Sequence, residues 1–104
     1  SDYHNHCLKI FDPSGRHLFT SGSRGSGTGQ LEWPDSVIAD SEDNIIVVDS
    51  YNNRVLLFSP DGTFIRQLLT EKEHNLVCLN GLALTHEGHL IVSDNHSLKM
   101  FKFQ

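Results

Sequence analysis

"DSVIADSEDNIIVVDSYNNRVLLFSPDGTFIRQLL", residues 35–69, contains four short apolar runs separated by polar turns, and its reading decides the fold. The runs fall at 36–40, 44–48, 54–58 and 63–69, here called A to D. Val and Ile dominate the first two, and no helical period fits any of the four. "DSEDN" between A and B and "SPDG" between C and D supply the residues that tight hairpins need. Proline presets one φ, while Gly, Asn or Asp tolerates the left-handed one. The pattern predicts a four-stranded antiparallel sheet, with no helix anywhere in the chain.

Working outward, the same phrases recur. "GLALTHEGHLIVSD" (81–94) repeats A and B, and "NHSLKMF" (95–101) repeats C. Upstream, "NHCLKIFDPSG" (5–15) and "HLFT" (17–20) repeat C and D. Phe11, Phe58 and Phe101 occupy one repeat position at intervals of roughly 45 residues. Four antiparallel strands at that period read as the blades of a β-propeller. The expected organisation is strands C and D of one blade in 1–21, a full blade in 36–69, and a last blade in 80–104 lacking its outer strand. Runs A and B are apolar on both faces, so Val37, Ile38 and their neighbours are expected to be sealed between adjacent blades. About two blades cannot close a ring. Completion by missing blades of a larger propeller, or by self-association, follows from that.

Composition narrows the function classes. Thirteen acidic residues against eight basic ones give a net charge of −5, a poor footprint for nucleic acid. No apolar run approaches the length of a membrane helix, so no membrane partner is expected. Cys7 and Cys78 stand far apart without CxxC spacing, which reads as two reduced thiols in a cytoplasmic protein.

"GQLEWPDSVIADSEDNIIVVDSYNNRVLLF" (29–58), with "NH" or "NN" opening run C and "FSPDG" closing it, resembles the NHL repeat. The resemblance spans the whole chain. "FTSGSRGSGTGQ" (19–30), "GLALTHEGHLIVSD" and the ending "KMFKFQ" (99–104) are similar to the last blades of tripartite-motif NHL proteins, E3 ubiquitin ligases among them. That similarity implies a six-bladed propeller in a longer protein whose RING domain recruits a ubiquitin-conjugating enzyme. It implies a non-catalytic recognition module here, binding protein substrates, with an RNA-binding surface as the alternative and a metal-dependent lyase-like propeller behind both. One departure stands out. "DNHSLKMF" (94–101) lacks two residues that separate Asp from Asn in "DYHN" and "DSYN".

Strand direction sorts the loops. The D–A and B–C connections (21–35, 70–80, 49–53 and 94–97) share one face, and the short A–B and C–D turns share the other. Long loops on a rigid scaffold are where binding concentrates. The candidate surface is therefore Tyr3, Arg24, Trp33, Tyr51, Asn52, Arg54 and Lys72. The aromatics suit a protein hot spot or stacking on bases. Asp2 and Asp49 are expected to bond loop backbone instead, as Asx turns do.

Metal and catalytic readings are weak. His4 and His6, or His86 and His89, give no set of three converging ligands, so neither metal nor cofactor is expected. "GSRGSGTG" (22–29) lacks the GK[ST] of a phosphate loop, and "DSEDN" lacks the glycine and final glutamate of a calcium loop. Cys7 beside His4 or His6 has no orienting acid for nucleophilic catalysis. Asn95-His96-Ser97 fits a glycosylation sequon.

Overall fold

The computed structural model describes residues 1–95 and 97–103. Nine strands are formed among them: β1 (Leu8–Phe11), β2 (His17–Ser21), β3 (Pro34–Ala39), β4 (Ile45–Asp49), β5 (Arg54–Phe58), β6 (Phe64–Leu69), β7 (Gly81–Leu84), β8 (His89–Ser93) and β9 (Leu98–Lys102). They pair antiparallel, each with its sequence neighbour, into three sheets: β1-β2, β3-β4-β5-β6 and β7-β8-β9. The result is an all-β fold of successive meanders, consistent with a segment of a propeller.

The hairpins share one design. The carbonyls of Asp12, Asp40, Ser59 and Thr85 each accept from the N–H three residues on, and that donor residue is left-handed. That residue is Gly15, Gly62 or Gly88 in three hairpins, with φ near +90°, and Asp43 at +64° in the fourth. Only this conformation returns the chain into register after a type I turn. The opening side chain adds bonds of its own. Asp12 accepts from the N–H of Ser14 and Arg16, and Asp40 from those of Glu42 and Asn44.

The inner strands of the middle sheet, β4 and β5, are covered on both sides, because they alternate between two cores. Ile46, Val48, Val55 and Leu57 point to one side and pack with Leu76, Leu79, Leu90 and Val92 of the third unit. Val47, Leu56 and Phe58 point to the other and pack with Leu8 and Leu31. Phe58 is 1% exposed, whereas Phe11 at the same repeat position is 53% exposed. Burying a side chain of this size contributes about 2–3 kcal/mol, which Phe58 supplies and Phe11 largely does not.

Three expectations need correction. Run A alternates in burial instead of being sealed on both faces: Ile38 packs into the core shared with the third unit, but Val37 is 39% exposed. Its side borders a groove with Leu8, Ile10 and Ile45, where the β1-β2 sheet has no inner strands to cover it. β3 also begins at Pro34, two residues earlier than expected. Finally, the chain does contain helix: one turn of 3₁₀ at Tyr3–Asn5 and one turn of α-helix, α1, at Glu71–His74. The signal for α1 was present in "TEKE". Thr70 caps the turn: its hydroxyl accepts from the N–H of Glu73 and meets the Glu73 carboxylate, its own N–H goes to His74 Nδ1, and left-handed Asn75 ends the turn.

Candidate functional site

The loop face is built by two repeated latches. The first uses the aspartate at the end of strand B. Asp49, fully buried, accepts from the Glu32 N–H at 2.6 Å, from Asn52 Nδ2 at 2.9 Å and from Arg54 Nε at 2.8 Å. Asp94 accepts from the Val77 N–H at 3.2 Å, the Ser97 N–H at 3.0 Å and Lys99 Nζ at 2.8 Å. In each case the carboxylate ties the loop entering its own unit. Asp2 holds Lys9 and Asn5 in the first unit, and these two partners lower its pKa. The aspartates thus act as structural acceptors, and Asp49 bonds loop backbone as expected.

The second latch joins neighbouring units. His6 and Asn53, both left-handed, start strand C at equivalent positions. Asn53 Oδ1 accepts from the Leu79 N–H at 2.9 Å, and His6 Nδ1 accepts from the Trp33 N–H at 3.0 Å. The histidine reaches one residue earlier because Pro34, the counterpart of Leu79, has no N–H to give. Trp33 is left-handed, φ +54°, with the His6 ring edge-on to the indole at 4.4 Å. Cys78, the repeat counterpart of Trp33, is left-handed as well. A large side chain held at positive φ is an uncommon and costly arrangement.

These latches bring three of the seven candidate residues together. Tyr3, Trp33 and Tyr51 line one open cleft of about 350 Å³, joined by Asp35, Ser50 and Cys78. The Tyr3 and Trp33 rings lie 5.0 Å apart. Tyr51 is 69% exposed. The remaining four candidates lie elsewhere. Arg54 is buried, and its guanidinium is committed to Asp49 and to the carbonyls of Ser26, Gly27 and Gln30, so it braces the glycine-rich loop. Asn52 donates to the Gly25 carbonyl of that same loop. Arg24 pairs with Glu32 at 3.1 Å, and Lys72 stands exposed on α1. Cys78 and Ser50 were not singled out from sequence. Aligning Cys78 with Trp33 was the available signal.

Catalytic chemistry finds little support. Burial, then the charge of Asp2, pushes the Cys7 thiol up, away from the nucleophilic thiolate, and His6 Nδ1 is taken up by the Trp33 N–H. Among the described residues, no group of three His, Cys, Asp or Glu side chains could hold a metal ion. No helix among them is long and apolar enough to cross a membrane. The sequon's central residue, His96, lies outside the described residues.

Comparison with known proteins agrees with this architecture. The chain is 29% identical over 106 residues to the protein brain tumor of Drosophila melanogaster, a match covering 99% of this chain and 10% of the relative. It is 44% identical over 48 residues to the protein lin-41 of Caenorhabditis elegans, covering 46% of this chain and 4% of the relative. It is 39% identical over 67 residues to the E3 ubiquitin-protein ligase TRIM71 of Rattus norvegicus, covering 58% and 8%. No family model matches the chain. The similarities establish homology to NHL-repeat proteins of the tripartite-motif group, and the chain spans a tenth or less of the length of these relatives.

Proposed function

We propose that the chain is a non-catalytic recognition module, part of a six-bladed NHL propeller that presents protein substrates to a tripartite-motif E3 ubiquitin ligase. Residues 1–21, 36–69 and 80–104 would be consecutive blades, completed by further blades of the same polypeptide. Several relatives are named as E3 ligases or RING finger proteins, which supports the ligase context. The observation that carries the reading is the convergence of Tyr3, Trp33 and Tyr51 in one cleft on the loop face. Exposed aromatics on a rigid frame are the usual energetic centre of a protein interface. The cleft lining holds no Lys or Arg, and the chain is net acidic, which favours a protein over RNA.

The test is affinity capture with the intact native polypeptide carrying this chain, with and without Tyr3→Ala plus Tyr51→Ala, in extract with and without ribonuclease treatment. Loss of specific proteins with the double substitution supports the reading. Capture that the substitutions leave unchanged contradicts it, and capture abolished by ribonuclease alone supports the RNA alternative.

A further inference from the structure

The cleft has a chemical character beyond being aromatic. Asp35 lines it beside Tyr3, Trp33 and Tyr51, is exposed, and has no ion-pair partner among the described residues. Ser50 Oγ, also in the lining, is a buried hydroxyl with no hydrogen-bond partner. Four neighbouring acids of this face are paired with cations, Glu32 with Arg24, Asp49 with Arg54, Asp94 with Lys99 and Asp2 with Lys9, while Glu71, Lys72 and Glu73 lie outside the cleft lining. The cleft therefore brings together one carboxylate without an ion-pair partner and three aromatic side chains, with the Ser50 hydroxyl buried in its wall. Two of the lining residues, Trp33 and Cys78, are held in left-handed conformations there.

Resting on the protein-recognition reading above, we propose that this cleft receives a lysine or arginine side chain from a basic segment of the partner. Aromatic faces attract a cation through their quadrupoles, and a nearby carboxylate adds a charge-assisted bond. Ring faces alone would accept an apolar anchor equally well. Asp35 tips the preference, since an apolar occupant would leave its carboxylate without a counter-charge. A nucleic acid would bring phosphates against the Asp35 carboxylate with no basic residue in the lining to offset them.

The probes are three: an acetylated and amidated peptide of glycines and serines bearing two lysines, the same peptide with norleucine at both positions, and a single-stranded RNA of mixed sequence. Each is titrated against the intact native polypeptide and followed by NMR shifts of the Trp33 indole N–H. The lysine peptide is expected to bind at least about fivefold more tightly than the norleucine peptide. Asp35→Asn and Tyr51→Ala are each expected to weaken it about two- to fivefold, with thermal unfolding unchanged because both side chains are exposed. Equal binding of the norleucine peptide would overturn the cation preference and leave the protein-recognition reading intact. Binding of RNA alone would overturn both. Binding of none of the three would overturn the cation site, and the capture experiment would then decide the wider reading separately.

Discussion

The Asp49 carboxylate and the Glu32 N–H meet at 2.6 Å across 17 residues of chain, and Asp94 repeats the bond to Val77 one unit later. One side chain per unit thus sets how the long D–A loop enters its sheet. Both aspartate side chains are fully buried, and the Asp49 site is the drier of the two because the Arg54 side chain is 10% exposed, against 26% for Lys99.

Removing a partner from a buried pair leaves a charge uncompensated, at about 3–5 kcal/mol. Asp49→Ala should cost that much in chemical denaturation, because the Arg54 guanidinium has little access to water. Asp94→Ala should cost less, since Lys99 can rehydrate. Equal losses at the two sites would argue against burial as the cause.

Gly15 and Gly62 have nearly the same φ, +91° and +89°, but different surroundings. A Cβ at Gly15 meets nothing within 4 Å, while one at Gly62 would lie 3.0 Å from Ser21 Cβ and 3.2 Å from Ile10 Cδ1. Gly15→Ala should therefore cost only the left-handed strain, about 1 kcal/mol, and Gly62→Ala should cost clearly more. Thermal unfolding of the pair separates the two effects.

Acid stability should depend on the turn aspartates. Burial opposes ionisation of Asp40, but bonds from the Asn44 side chain, the Asn44 N–H and the Glu42 N–H outweigh it and hold the carboxyl below its ordinary value. A carboxyl lowered in the folded state contributes stability above its unfolded value and loses it as pH falls through the folded one. The stability gap between the native protein and Asp40→Ala should be full near neutrality and shrink on acidification. A gap that widens in acid would reverse the assignment.

In isolation, the 104-residue chain should self-associate. β1 and β9 each pair on one side only, and Leu98 and Met100 are 75% and 60% exposed. Unpaired edges beside apolar side chains template further association. Light scattering checks this, and a monodisperse monomer would contradict it.

The strands and hairpins were legible because their determinants are local. Alternation, β-branching and turn residues lie within a few positions of what they specify, so all nine strands fall within two residues of the expected runs. The loop face was legible only in outline. That Tyr3, Trp33 and Tyr51 share a face followed from strand direction alone. That Arg54 turns inward did not, because its acceptors are carbonyls of a loop more than 20 residues earlier. The His6–Trp33 bond was equally hidden, since it depends on how one repeat docks on the next. Val37 was misjudged for a related reason: an apolar residue states which face it prefers to bury, not whether a neighbour covers it.

Which end of the sheets engages the partner can be read most directly by hydroxyl-radical footprinting of the intact native polypeptide with and without a captured protein. Protection should fall on Tyr3, Trp33 and Tyr51 and spare Pro13, Pro60 and His86 in the opposite turns. Protection of those turns with the three aromatics left reactive would contradict a recognition surface built on the loop face.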